Sequence, residues 1–217
     1  ADQIYYWGHY PVVDMEFDTT APVRVGMRAW SPFLPGDVVG SMLPGTVFEV
    51  HLRNASDEYQ QGTIAFSFPG PTSNEAGTST FVREEVNGSF KGGVVHGDLA
   101  SYALGVVGNE PVRLGGELGG SGTAWANIAY SLPAVQSNDA GSSAAVDFAL
   151  APGAEKVVRF VLSWHAPTWK GGGYNWAETG GTFHHMYAKY YTGAAEAAEL
   201  LAQNHESILR RILSWQQ

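Results

Sequence analysis

The stretch Arg24–Pro71 decides the fold, and it reads RVGMRAWSPFLPGDVVGSMLPGTVFEVHLRNASDEYQQGTIAFSFPGP. Within and just before it, apolar residues occupy every second position of three segments: Val23–Trp30, Phe48–Arg53 and Ile64–Phe68. This period of two is typical of β-strands that bury one face. Proline–glycine turns separate the segments, at Ser31–Asp37 (SPFLPGD) and at Leu43–Gly45. The stretch therefore predicts antiparallel strands joined by turns.

The remainder of the first 191 residues carries weaker signals of the same kind. Short β-like runs occur at 80–86, 92–95, 101–107, 125–132, 144–150 and 156–164. Glycine-rich turns separate them, and residues 115–122 (GGELGGSG) are predicted to form a flexible connector. Many strands at regular spacing predict an all-β protein, a large antiparallel two-sheet β-sandwich of the supersandwich type, over residues 1–191.

The composition changes after residue 191. Residues 192–217 contain no proline, are rich in Ala, Leu and Glu, and predict a C-terminal linker helix that begins at an N-capping Gly193. One stripe of this helix consists of Ala194, Ala197, Ala198, Leu201, His205, Ile208, Ile212 and Trp215. A stripe of this length needs a surface to cover, and either the sandwich or another domain provides it.

The composition excludes several classes of function. A net charge of −9 argues against nucleic acid as a partner, because phosphates attract basic surfaces. The 217 residues include no cysteine, which excludes disulfides and thiolate chemistry. No apolar run is long enough for a transmembrane segment, so we predict none. No motif for a metal or for a phosphate-bearing cofactor occurs, so we predict no metal site and no cofactor. The cellular compartment is not indicated.

Several motifs together resemble one enzyme family. They are Ala29–Asp37 (AWSPFLPGD), Leu43–Asn54, Phe160–Pro167 (FVLSWHAP), His185–Ala188 and Ile212–Gln216. The set is similar to the N-terminal domain of glycoside hydrolase family 116, the non-lysosomal glucosylceramidase and bile-acid β-glucosidase family. The match is best over Arg24–Pro71 and Lys156–Gln217, and it is loose in the glycine-rich middle.

The resemblance implies a β-sandwich that packs through linker helices against an (α/α)6 barrel of the same enzyme. The substrate class that it implies is a β-glucoside or a glucosylceramide-like lipid. Retaining enzymes of this kind use two carboxylates about 5 Å apart, and the family places both on the barrel. No residue of this chain matches either one, so we expect catalysis beyond Gln217 and leave open whether the chain is an enzyme.

Aromatic and polar residues concentrate between positions 164 and 187 and form the candidate site. Its members are Trp164, His165, Trp169, Tyr174, Asn175, Trp176, Glu178, His184 and His185. Aromatic rings stack on sugar rings and polar side chains bond sugar hydroxyls, so these residues predict either a surface that docks the barrel or direct contact with a carbohydrate. For Trp164 alone, at the end of an alternating strand, we expect core packing.

Other residues favour plainer interpretations. His184 and His185 are neighbours whose side chains point to opposite faces of a strand, so we interpret them as structural residues and not as metal ligands. Asp14, Glu16 and Asp18 alternate and share one face, which we interpret as a solvated edge. Two other hypotheses stay open: a stand-alone glycan-binding module, and a structural protein that self-associates through the stripe Leu201–Ile212.

Overall fold

The computed structural model describes residues 2–170 and 181–217. These two ranges contain thirteen strands, four α-helices and one 3-10 helix, at Met186–Lys189. The strands are β1 Gln3–His9, β2 Val12–Asp18, β3 Val23–Trp30, β4 Gly45–Asn54, β5 Gln60–Phe68, β6 Val82–Asn87, β7 Phe90–His96, β8 Ser101–Val107, β9 Val112–Gly115, β10 Ser142–Leu150, β11 Glu155–His165, β12 Thr168–Lys170 and β13 Thr182–His184. The α-helices are α1 Val38–Ser41, α2 Ser73–Ala76, α3 Gly122–Ala126 and α4 Ala194–Gln216.

One large antiparallel sheet organises the molecule. Its eight strands follow the order β1-β2-β3-β4-β11-β8-β7-β6. A three-stranded sheet, β5-β10-β9, packs on one face of it, and β12 and β13 form a separate hairpin. The prediction of an all-β sandwich with a C-terminal helix is confirmed.

The large sheet lies between two hydrophobic cores. The first core lies between this sheet and the three-stranded sheet, and it contains Phe160, Leu104 and Val146. The second lies on the opposite face beneath α4, and it contains Trp30, Val161 and Leu201. The alternation of the strands explains both cores, because successive side chains of β11 point to opposite faces of the sheet.

Helix α4 packs on its own domain. Seven of its residues are buried, and all of them except Ala202 belong to the predicted stripe: Ala194, Ala197, Ala198, Leu201, Ala202, Ile208 and Ile212. The helix contacts β4, β7, β8 and β11. Gly193 is its N-cap, and the Glu196 carboxylate accepts hydrogen bonds from the hydroxyl and backbone N–H of Thr192, which lower the pKa of Glu196. The sandwich therefore supplies the surface that the stripe needs, and the stripe is not free for self-association.

The loop Ser31–Asp37 fastens the far end of α4. The Asp37 carboxylate accepts the backbone N–H of Gly40 at 2.8 Å and caps α1. It also accepts a hydrogen bond from Arg211 of α4 at 3.0 Å. The hydrogen bond from Gly40 and then that from Arg211 hold the pKa of Asp37 below its usual value. Phe33 packs edge-on against Trp215, at a centroid distance of 5.6 Å.

Two predictions about the strands differ from the structure. Residues 125–132 are not a strand, because Ser121 caps α3 by accepting the N–H of Ala124, and a turn follows. Residues 12–18 form β2, which lies inside the sheet between β1 and β3. The acidic residues of β2 are therefore not at a sheet edge, although they do share one face.

No helix in the described ranges is both long enough and apolar enough to span a membrane.

Candidate binding groove

A groove lies where the end of β11 and the β12–β13 hairpin meet α2 and the start of β8. Its volume is about 730 Å³. The residues that line it are Phe68, Gly70, Pro71, Asn74, Glu75, Leu99, Ala100, Ser101, Tyr102, Trp164, Ala166, Thr168, Trp169, Thr182 and His185. Three residues of the sequence-predicted site, Trp164, Trp169 and His185, therefore come together on one surface.

Two tryptophans form the aromatic part of the groove. Trp164 pairs with Tyr102 of β8 at the end of β11, and it is 41% exposed. The core-packing interpretation of Trp164 is therefore wrong: the alternation of β11 continues to this position, but the overlying sheet does not cover it. Trp169 is 38% exposed and stacks on Phe183 of β13 at 5.0 Å, which fixes the plane of its ring.

The three histidines of the predicted site occupy different environments. His185 lines the groove, and its ring stacks on Tyr187 at 5.5 Å. His184 is exposed and does not line the groove. His165 packs edge-on against Tyr187, and its Nε2 atom is buried without a hydrogen-bond partner in the described part of the chain. The described residues contain no group of three potential metal ligands.

Tyr187 fixes the path of the chain as it leaves β11. Its hydroxyl donates to the carbonyl of Ala166 at 2.8 Å and accepts the N–H of the same residue at 2.7 Å. Burial raises the pKa of Tyr187, although the Ala166 hydrogen bond opposes the change. The hydroxyl therefore stays protonated at neutral pH and holds β11 to the segment that leads into α4.

The polar wall of the groove comes from α2. Thr72 and Glu75 form a reciprocal capping box, in which each side chain binds the backbone N–H of the other. The hydrogen bonds from the backbone and hydroxyl of Thr72 lower the pKa of Glu75, so its carboxylate is ionised at neutral pH. Asn74 and Ser101 add an amide and a hydroxyl. These groups are positioned to exchange hydrogen bonds with the hydroxyls of a ligand.

The groove combines the two elements of carbohydrate recognition, which are aromatic faces and hydrogen-bonding groups. It does not supply two acids. Among the described lining residues, Glu75 is the one carboxylate, whereas retaining hydrolysis requires a pair. Tyr174, Asn175, Trp176 and Glu178 of the predicted site lie outside the described residues.

Sequence reasoning missed the half of the groove that comes from α2 and β8. Asn74, Glu75 and Ser101 are about 60 to 95 positions away from the tryptophans in the chain, so no local pattern connects them. The one available signal was the Thr72-x-x-Glu75 capping box, which predicts a helix start but not its neighbours.

The groove lies in a β-sandwich, and a comparison with protein families shows what part of this chain is similar to. The family model described as beta-glucosidase 2, glycosyl-hydrolase family 116 N-term, matches residues 1–103. This match covers 103 of the 217 residues, and it confirms the resemblance drawn from the sequence. The motifs between Lys156 and Gln217 lie outside the matched range.

Solved structures show only distant similarity. A protein described as a kojibiose phosphorylase from the human microbiome is 10% identical with a TM-score of 0.40, over 71% of this chain and 18% of that chain. A galactose mutarotase related enzyme from Lactobacillus acidophilus is 10% identical with a TM-score of 0.42, over 75% of this chain and 71% of that one. A family GH92 alpha-mannosidase from Bacteroides thetaiotaomicron is 11% identical with a TM-score of 0.21, over 89% of this chain and 22% of that chain. None of the curated proteins compared with the chain matches it.

Proposed function

We propose that this chain is a non-catalytic β-sandwich domain of a β-glucosidase or glucosylceramidase-like hydrolase. It braces an (α/α)6 catalytic barrel and forms one wall of the cleft that receives a β-glucoside or a glucosylceramide-like substrate. The observation that carries the proposal is the composition of the groove. Its described lining residues include two exposed tryptophans but a single carboxylate. The groove lies in a chain whose residues 1–103 match the family 116 N-terminal model.

The exposure of the tryptophans supports a contact with another molecule. Trp164 and Trp169 expose large apolar surfaces beside each other, and a concave apolar surface rimmed by polar groups is typical of a binding site. A neutral sugar suits this groove better than a charged ligand does, because the one charge on its described wall belongs to Glu75.

The packing of the neighbouring segment supports the bracing role. Tyr191, three residues before the start of α4, is buried, and its hydroxyl donates to the carbonyl of Val39 at 2.8 Å. Ser163 of β11 donates to the carbonyl of Ala194 at 2.7 Å. The segments before β12 and after β13 are therefore both anchored to the sandwich, as a wall of fixed position requires.

The test uses the chain alone and the enzyme that carries it together with its barrel. We expect the isolated chain to hydrolyse no aryl-β-glucoside. In the whole enzyme, Trp164→Ala combined with Trp169→Ala should lower kcat/KM for the glucoside about tenfold or more, since each stacking contact is worth about 1 kcal/mol. Trp125→Ala is the matched control, because Trp125 is also 41% exposed but lies away from the groove.

Turnover by the isolated chain that disappears on mutation of one of its own carboxylates would refute the non-catalytic role. Unchanged kcat/KM in the double variant would refute the role in the cleft.

The exposed tryptophans also favour a second candidate, a stand-alone glycan-binding module. If the chain has this function, the isolated chain should bind oligosaccharides in calorimetry. The heat of binding should disappear when Trp164→Ala and Trp169→Ala are combined. If the isolated chain shows no heat that depends on these two residues, the stand-alone module is excluded and the cleft-wall role is unaffected.

A further inference from the structure

A second surface with unused polar groups lies on the other half of the large sheet. The face that α4 covers over β4, β7, β8 and β11 is open where the sheet continues into β1, β2 and β3. Two adjoining depressions of about 490 Å³ and 450 Å³ occur there. Both are lined by Glu16, Gly26 and His51, so they form one continuous trough.

The register of the strands explains the shape of the trough. Tyr5, Glu16, Gly26, His51 and Val157 stand opposite one another in a single row across five strands. Gly26 leaves a gap in the middle of this row: a Cβ atom there would meet nothing closer than the Met15 carbonyl at 3.5 Å. Because neighbouring strands are about 4.8 Å apart, Glu16 and His51 face each other across a gap about 10 Å wide between their backbones.

The charges on both sides of this row are neutralised within the molecule. On one side, Asp14 pairs with Arg28 at 2.8 Å, and Glu49 pairs with Arg159 at 2.7 Å. On the other side, the ion pairs are Arg24–Asp18 at 3.7 Å and Arg53–Glu155 at 3.6 Å.

Glu16 and His51 differ from these neighbours. Both are exposed, and neither forms a hydrogen bond or an ion pair with any described residue. Two polar side chains with unused hydrogen-bonding capacity therefore flank the gap above Gly26.

An aromatic platform borders the trough. Tyr5 and Trp7 lie two positions apart on β1 and point to the same face, where their rings stack at 6.2 Å with an interplanar angle of 24°. Tyr5 is 46% exposed and Trp7 is 50% exposed. Paired aromatic rings beside unpaired polar groups are the combination that binds the apolar face and the hydroxyls of a sugar at the same time.

We propose that this trough is a second carbohydrate-binding site, separate from the groove of Trp164 and Trp169. A pyranose ring lies over Gly26, the Glu16 carboxylate accepts hydrogen bonds from its hydroxyls, and His51 bonds it from the opposite side. The next ring of the chain stacks on Tyr5 or Trp7. The ligand is a neutral oligosaccharide, because the arginines of the flanking rows are already paired with acids and offer no free positive charge to an anionic ligand.

Gly26→Val is the most selective variant for testing this site. It removes no hydrogen-bonding group, and valine is favoured in strands, so the melting temperature should not fall. Its side chain fills the gap between Glu16 and His51 and should weaken sugar binding about tenfold or more. Glu16→Gln and Trp7→Ala should each weaken binding about tenfold, by loss of a charged acceptor and of a stacking face.

The measurement is a two-dimensional NMR titration of the chain with cellotetraose, laminaritetraose and maltotetraose in parallel. We expect at least one sugar to shift the backbone amides of Gly26 and His51 and the indole N–H of Trp7. Asp57→Asn is the control for Glu16→Gln, since it removes an exposed carboxylate in a turn outside the trough. The Trp164→Ala and Trp169→Ala variant should leave these shifts unchanged, which separates this site from the groove.

Three results would overturn the proposal. The first is the absence of shifts at Gly26, His51 and Trp7 with all three sugars. The second is a set of shifts that Gly26→Val leaves intact. The third is strong protection of this face from amide exchange when the barrel is attached, which would assign it to a protein interface.

Discussion

The contact between Leu201 and Gly45 provides a quantitative test of how α4 is attached. Leu201 is fully buried in α4, and Gly45 begins β4 directly beneath it. A Cβ atom on Gly45 would lie 2.4 Å from the Leu201 Cδ1 atom, so the helix sits against the strand with no room for a methyl group. Leu201→Ala leaves a cavity in a core that cannot collapse freely, and we expect a loss of about 3 kcal/mol in the free energy of unfolding.

Gly45→Ala perturbs the same contact from the other side. The added methyl group overlaps Leu201, and we expect a loss of about 2 kcal/mol. In the double variant, the new methyl group occupies part of the space that the leucine vacates. The combined loss should therefore be smaller than the sum by about 1 kcal/mol. The rescue is partial, because the Leu162 carbonyl at 3.0 Å and the Ser163 Cβ at 3.2 Å still oppose the methyl group.

Urea denaturation of the unmodified chain, the two single variants and the double variant measures these losses in the free energy of unfolding. Circular dichroism follows the secondary structure and tryptophan fluorescence follows the packing around the indole rings, and the two transitions should coincide if α4 and the sandwich unfold together. Single losses that add within about 0.5 kcal/mol would refute the contact. A loss below about 1 kcal/mol for Leu201→Ala would refute the docking of α4 on the sheet.

Two further predictions concern the ends of α4. Burial acts to raise the pKa of Glu199, but the backbone N–H groups of Phe90 and Ser89 bind the carboxylate and hold its pKa below the usual value. The stability that this ionised carboxylate contributes is present above the ordinary glutamate pKa and is lost as the pH falls through the lower folded-state pKa. Glu199→Gln should therefore flatten the acid side of a plot of melting temperature against pH. An unchanged slope would contradict this role of Glu199. Asp37→Ala removes the cap of α1 and should lower the free energy of unfolding, measured with urea, by about 1 kcal/mol. The control Asp57→Asn should cause no measurable loss. Equal effects of the two variants would contradict the capping role of Asp37.

The sequence contained most of the information needed for the sandwich. The alternation in β3, β4 and β11 predicted central strands because one face of each is buried by α4 or by the smaller sheet. The stripe of α4 was equally readable, although its partner was not. The partner of this stripe is the face of the large sheet on which α4 packs. No local sequence pattern shows which face of the sheet a following helix will cover.

The failures have physical reasons. Strand β1 is exposed along its whole length, so burial imposed no alternation on it. Residues 125–132 have a strand-like pattern, but Trp125 and Tyr130 are exposed and Ser121 starts a helix instead. The groove was half predicted, because Trp164, Trp169 and His185 are near one another in sequence whereas Glu75 reaches them only through the fold.

The position of β11 also has a consequence for how the chain folds during synthesis. This strand alone joins β4 to β8, and thus connects the half-sheet β1–β4 to the half-sheet β6–β8. Until the ribosome has produced residues 155–165, each half-sheet keeps an unpaired edge that can pair with another chain. Closure also requires contacts between segments about a hundred residues apart, which slows folding. The nascent domain is therefore most prone to aggregation just before β11 emerges, and β11 is where a slow-folding variant is best rescued.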